Sequence, residues 1–467
     1  MSFWFRSLLL CLIALVAATG QAAPPNIVHV LIDDMGYSDL GCYGNKDVKT
    51  PNIDRLAAEG LKFTHFYTNA PICSPSRTAW TTGQYPARHR ILSFLANREE
   101  NAKRGMPNWL NPEVWTLADG LHRAGYATGH FGKWHMGGQR DVGEAPLITE
   151  YGFDQSLTNF EGLGDRALPL LDAFNGTEPK RYSLGSDKLG RGEITWLNRD
   201  EITGAFVKRA AAFIDQAKAA KKPFFVNLWP DDVHSPFFPS KEMADRKMKR
   251  RRYLAVAEDM DRQLGVLFDK IRSDAALRDN TIVIVTSDNG PEPGAGSAAP
   301  YRGTKGQLYE GGIREPLIVW APGLIKPAAV GKTNSASWLT AVDVSRSLLA
   351  IAGVEVSADR RLDGEDLSST LLGAAEESRK SPAIWLRPSD RPGPKDAPLP
   401  DLAIRDGKWK LLTMSDGSGM QLYDLSADPT EMKNVAADYP DLAGRMNTIV
   451  TRWFEEEFKG TFPKRPE

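Results

Sequence analysis

Four short, near-continuous apolar runs, each broken abruptly by polar residues, organise this sequence. Asn26 to Ile32 runs into Asp33-Asp34, Tyr126 to Phe131 into Gly132-Lys133-Trp134-His135, Phe224 to Trp229 into Asp231-Asp232-Val233-His234, and Thr281 to Thr286 into Ser287-Asp288-Asn289-Gly290. Such runs predict strands buried on both faces of a parallel sheet. Between them, Thr50-Pro51 opens a helix with Leu56 and Ala57 inside and Gly60 as its stop. Tyr253, Val256, Met260, Leu264, Leu267 and Ile271, spaced by three and four, predict a longer amphipathic helix. Strand alternating with helix argues an α/β fold, a mostly parallel sheet sandwiched by helices. Ligands bind such sheets outside the carboxyl ends of the strands, so the four polar tips are expected to converge on one site.

Other stretches break the pattern. Arg246 to Arg252 is a basic run whose cations would oppose the dipole of the helix that follows, so it reads as a solvated loop, with polyanion contact as the rival reading. Pro291 to Ser297, dense in Gly and Pro, reads as a mobile loop over the site. A boundary is expected near Glu376 to Pro382, dividing a large region, 23–378, from a smaller α+β subdomain, 379–467. The latter has hairpin-like strands around Trp409 to Leu412 and Gln421 to Tyr423. A last helix presents Leu442, Met446, Ile449, Val450 and Trp453. The Pro-rich segment Arg387 to Pro400 reads as a loop without an assigned role.

Composition narrows the class. Residues 1–22 carry Arg6, an apolar core from Leu8 to Ala18 and a small-residue exit at Gly20-Gln21-Ala22, which reads as an export signal; the core is shorter than the ~20 residues that span a bilayer. The mature chain is therefore expected to be soluble, and periplasmic or extracellular. Two cysteines then remain, Cys42 and Cys73, too few for a disulfide scaffold. A net charge of −1 gives no general attraction to polyanions or nucleic acid, so anion binding must be local.

Local anion chemistry is foreshadowed at Cys73-Ser74-Pro75-Ser76-Arg77. Proline two places after the cysteine suits a first helical turn, which would set Cys73 beside free N–H donors and the positive end of a helix. Cys42 is expected to be buried and inert. His135 and His234, at strand tips, are candidate proton carriers; His29, His65 and His130 read as satisfied residues.

Together these segments resemble the formylglycine-dependent sulfatases of the alkaline phosphatase superfamily, of the arylsulfatase A-like and N-acetylgalactosamine-6-sulfatase-like type. The likeness covers nearly the whole mature length. It is carried by Pro25-Asn26-Ile27-Val28 through Asp33-Asp34-Met35-Gly36-Tyr37 and Asp39-Leu40-Gly41, by the Cys73 pentapeptide, by Gly132-Lys133-Trp134-His135, Ser287-Asp288-Asn289-Gly290 and Gly311-Gly312-Ile313-Arg314, and by Leu422-Tyr423-Asp424-Leu425. The family usually has Leu where Trp80 stands and Arg or Lys where Gln84 stands, departures that bear on how efficiently Cys73 is matured.

The resemblance implies an alkaline phosphatase-like fold and a separate maturation enzyme that oxidises Cys73 to formylglycine (3-oxoalanine) during export. It implies a calcium ion, with magnesium as the alternative, at Asp33, Asp34, Cys73, Asp288 and Asn289. In the family's mechanism the aldehyde at position 73 is hydrated, one hydroxyl attacks sulfur and the other later expels sulfate. Lys133 and Lys305 would meet the sulfate oxygens, Arg77 the hydrate, His135 would act as base and His234 as acid. The implied substrate is a sulfated carbohydrate, with aryl sulfates accepted. Trp109 is a candidate for stacking on a sugar. Rivals are a phosphodiesterase or phosphonate hydrolase of the same superfamily, disfavoured by metal ligands without extra histidine, and a silent sulfated-glycan-binding homologue, disfavoured because every catalytic position is filled.

Overall fold

The computed structural model describes residues 23–172, 176–240, 248–357, 360–391 and 393–458. Residues 1–22, read above as an export signal, and Arg246-Lys247 of the basic run lie outside these residues. Nine strands form the main sheet, eight of them in the order Lys332–Asn334, Leu61–Tyr67, Arg314–Trp320, Thr281–Ser287, Asn26–Ile32, Phe224–Trp229, Ala127–Gly132 and Gln155–Leu157, with Leu339–Thr340 also on Leu61–Tyr67. The four strands read from the sequence lie side by side and parallel at its centre. Arg314–Trp320 runs antiparallel to both its neighbours.

Alternate side chains of the Asn26–Ile32 strand explain the two layers. Ile27 and Leu31 face one apolar cluster, with Trp80, Leu117 and Leu348; Val28, Val30 and Ile32 face the other, with Ile53, Phe206, Met260 and Leu264. Helices therefore cover both faces, which is why the strands read as continuous apolar runs.

Thr50 and Pro51 open the helix Pro51–Glu59 as expected. The long helix, Lys249–Ser273, starts earlier than expected and takes Lys249 to Arg252 into its first turn. Two of its adverse cations are matched: Arg250 lies 3.0 Å from Asp39, and Lys249 3.2 Å from Glu292. Asp39 also accepts from Ser297 N–H at 2.9 Å, so the Gly- and Pro-rich loop is tied down by the basic run rather than loose over the site. Elements that went unread in the sequence include the strands Leu61–Tyr67 and Arg314–Trp320, the helices Ile202–Ala219 and Ala341–Ile351, and a small sheet of Lys180–Arg181, Arg166–Leu171 and Ile194–Asn198.

Towards the C-terminus an antiparallel sheet orders Ala383–Leu386, Leu402–Asp406, Trp409–Thr413 and Gln421–Asp424. The helix Pro440–Phe458 buries Met446, Val450 and Phe454 with Ile404 and Leu411, but Ile449, expected on the inner face, is 45% exposed. The other face of this sheet meets Tyr67, Leu308 and Ile313.

A buried charge cluster locks that junction. Lys410 lies 2.9 Å from both Glu310 and Glu431, Arg314 3.2 Å from Glu310, and Tyr67 donates to Glu310 at 2.6 Å. Burial, partly offset by Lys410, raises Glu431 to about 7. Against burial, Lys410 and Arg314 hold Glu310 down at about 2. The folded chain thus holds the Glu431 proton more tightly than the unfolded chain, whose carboxyl titrates near 4.5. This contribution is full below that value and lost as pH rises to about 7. Glu431→Gln should therefore gain in Tm relative to the wild type between about pH 5 and pH 8; a wild type–variant difference that does not change with pH contradicts the assignment.

Candidate active site

The tips of the central strands meet. After Ile32 the chain turns through Asp33 and Asp34, the latter in the left-handed region at φ 60°, rare for a residue other than glycine. Asp34 N–H donates to Asp288 at 3.1 Å, and Asn289 donates to Asp34 at 2.8 Å. Gly132 lets the next tip approach: a Cβ there would sit 2.2 Å from the Trp229 carbonyl. Lys133 follows, its N–H bonded to that same carbonyl.

The helix Cys73–Thr82 points its N-terminus into this cluster. Every residue in it is buried, and Trp80, the departure from the family pattern, packs against His29 in a tilted contact with ring centroids 4.3 Å apart. Ser74 accepts from Leu95 N–H at 2.9 Å, which fixes the loop behind His135. Cys73 Sγ lies 3.9 Å from Asp34 and is 1% exposed, so it is a buried rather than an exposed thiol. Burial, then Asp33, push its thiol well up, and a thiol held neutral is a poor nucleophile. Cys42 is half-buried and likewise pushed up, first by burial and then by Asp54.

Three cations neutralise the carboxylates. Arg77 lies 3.1 Å from Asp33 and 2.8 Å from Asp288, donates to the Lys133 carbonyl, and sits over the Trp229 ring. Its guanidinium is thus committed to the acidic cluster. Lys133 is 2.7 Å from Asp33 and Lys305 2.6 Å from Asp34. Both lysines are held charged by those carboxylates in spite of burial. Asp33 is held well down by Lys133 and Arg77 against burial, while burial and Asp33 push Asp288 well up.

The two histidines differ in setting. His234 is one-third exposed, with Nε2 3.7 Å from Asp34 and Nδ1 2.7 Å from the Ser235 carbonyl. His135, also left-handed at φ 58°, is buried; its Nε2 meets the Leu95 carbonyl at 3.0 Å and its Nδ1 lies 3.1 Å from Glu161. Burial, then Lys133, push its pKa well down, favouring the neutral ring. Burial also lowers His29 and His130 to about 3 and His65 to about 4, in keeping with structural roles.

Sequence reasoning missed Glu161. It lies 3.0 Å from Lys133 and 3.1 Å from His135, bridging the two residues of one motif. Trp109 packs on Val142, Ala145 and Leu163.

The donor set fits a divalent cation. Oxygens of Asp33, Asp34 and Asp288 all lie within 4.8 Å of one another, and the Oδ1 of buried Asn289 has no hydrogen-bond partner. Counting Glu161, four carboxylates are ion-paired, among the described residues, with three arginine and lysine side chains, Arg77, Lys133 and Lys305. A dication reverses that balance and makes the site attractive to an anion.

Comparison with known proteins gives the class of the chain. Residues 25–354 match the Sulfatase family model, and residues 304–453 match that of the N-sulphoglucosamine sulphohydrolase C-terminal region. The chain belongs to the sulfatase family and is a sulfuric ester hydrolase. It is 33% identical to N-acetylgalactosamine-6-sulfatase of Canis lupus familiaris over 382 residues, 79% of this chain and 70% of that one. With arylsulfatase A of Homo sapiens it shares 32% identity over 473 residues, 92% of this chain and 86% of that one. Among solved structures it resembles Ps i-CgsB in complex with k-i-k-neocarrahexaose, with a TM-score of 0.75, 26% identity and 95% of each chain covered. Among the described residues no helix is long and apolar enough to cross a membrane.

Proposed function

We propose that this sulfatase removes sulfate from a sulfated carbohydrate, using Cys73 matured to formylglycine and a calcium ion, or magnesium in its place, at Asp33, Asp34, Asp288 and Asn289. The observation that supports it most is a buried, neutral Cys73 at a helix N-terminus, 3.9 Å from Asp34 and surrounded by charges placed for an oxyanion. The cation supplies charge that polarises a sulfate oxygen. The hydrated aldehyde supplies an oxygen nucleophile and a second hydroxyl through which sulfate is released.

The chain's own residues do the rest. Lys133 and Lys305 turn their ammonium groups to the sulfate oxygens and stabilise the charge there. Arg77, bonded to Asp33 and Asp288, sets their orientation beside position 73. His234, open to solvent on one side, carries a proton to the departing sugar oxygen. His135, kept neutral by burial and Lys133, accepts the proton of the remaining hydroxyl, and Glu161 steadies the ring as it charges. The proposal includes export through residues 1–22, maturation by a formylglycine-generating enzyme, and a division into a catalytic domain, 23–378, and a C-terminal subdomain, 379–467. The sugar reading is drawn from relatives named for sulfated hexosamine.

Sulfate release should be measured on a panel of sulfated mono- and oligosaccharides, including N-acetylgalactosamine 6-sulfate, beside an aryl sulfate, with protein matured in the cell and supplied with Ca²⁺. At least one sugar is expected to turn over. If an aryl or alkyl sulfate alone is cleaved efficiently, the carbohydrate assignment is wrong.

A further inference from the structure

The Pro-rich segment after Arg387 lies next to the active site. Asp390 accepts from Ser93 Oγ at 2.8 Å and lies 3.3 Å from Arg104, which docks this segment on the loop that carries Phe94. The ring of Phe94 is 6.4 Å from that of His135, and the next residue, Leu95, holds His135 by its carbonyl. From the other side, the Arg391 side chain runs along the backbone just past Lys305: a Cβ on Gly306 would be 2.8 Å from Arg391 Cδ. Arg391 thus bridges the two flanks of the site, with its guanidinium 5.8 Å from the centre of the Phe94 ring.

Charge separates Arg391 from its neighbours. Arg104 is spent on Asp390 and on the Phe94 ring, 4.3 Å from its guanidinium. Arg391 is exposed, and among the described residues it pairs with no carboxylate. An exposed guanidinium steadied by an aromatic ring, beside the site proposed to take the sulfate ester, is suited to a second anion. Phe94, partly exposed, offers an apolar surface for the sugar between the two charges.

Resting on the sulfated-carbohydrate reading, we propose that Arg391 is a specificity residue that recognises a second anionic group of the substrate saccharide, a sulfate on the hexosamine whose ester is cleaved or the carboxylate of a uronate linked to it. The chemistry is shared by a disulfated hexosamine and by a sulfated hexosamine linked to a uronate. The preference is therefore built where a C-terminal segment reaches the catalytic domain.

The test is kcat/KM for sulfate release by wild type, Arg391→Ala and Arg391→Lys on three probes: N-acetylgalactosamine 6-sulfate, its 4,6-disulfate, and the 6-sulfated disaccharide bearing a uronate. Arg391→Ala should lose about 10- to 100-fold more on the better of the two doubly charged probes than on the monosulfate, the size of one charge-assisted contact. Most of that loss should appear in KM, and Arg391→Lys should regain part of it. Which doubly charged probe responds identifies sulfate or carboxylate as the second group. If wild type and Arg391→Ala have the same ratio of rates across the probes, this inference is overturned while the sulfatase reading stands. If wild type cleaves an aryl sulfate but none of the three sugars, the carbohydrate reading falls and this inference with it.

Discussion

Cys73→Ala is expected to lower turnover of every sulfate ester by about 10⁴-fold or more while leaving the fold intact. The argument rests on two features of the position. The side chain is buried and its hydrogen bond to Asp34 is long, at 3.9 Å, so its removal costs roughly 1 kcal/mol of stability. In the unmodified protein burial and Asp33 keep the thiol protonated, so neither the thiol nor the variant's methyl group offers a nucleophile. Initial rates on an aryl sulfate, with Tm measured in parallel, check this; a rate within tenfold of the wild type places the nucleophile elsewhere.

Loss of the cation should be nearly as severe. Asp288→Asn retains an oxygen to accept the Asp34 N–H bond but removes the charge that Arg77 meets at 2.8 Å and that a dication would share. Without the cation the oxyanion loses several kcal/mol of stabilisation, so turnover should fall by about 10³-fold. Chelating the wild type should give the same loss. Added Ca²⁺ should restore the chelated wild type and leave Asp288→Asn inactive. A near-normal rate for Asp288→Asn would show that the cation is held by other residues.

Much of the site could be read in the sequence because its residues follow apolar strands. Asp33, Lys133, His234 and Asp288 each come one to five residues after a run that admits few readings, and parallel pairing brings those ends together. Glu161 had no such signal. It lies on a loop after the three-residue strand Gln155–Leu157, and only its contacts with Lys133 and His135 reveal it. The basic run misled for a related reason: a dipole argument confined to the helix omits Asp39 and Glu292, which offset the cations from distant parts of the chain. Ile449 shows the limit of apolar spacing. The buried row of the last helix is Ala443, Met446, Val450, Phe454 and Phe458, one step of three and then steps of four, and Ile449 falls beside it. Leu61–Tyr67, by contrast, carries a partial alternation, with Leu61 and Phe63 buried and Lys62 and Thr64 less so, that a closer reading of period two would have found.

The central claim is that position 73 is not a cysteine in the working enzyme. Mass spectrometry of the peptide spanning Cys73, from protein made in a host that contains a formylglycine-generating enzyme, tests it most directly. We expect a peptide that has lost its sulfur and reacts with carbonyl reagents, in proportion to specific activity across preparations. A fully active preparation in which that peptide carries only the thiol would contradict the account.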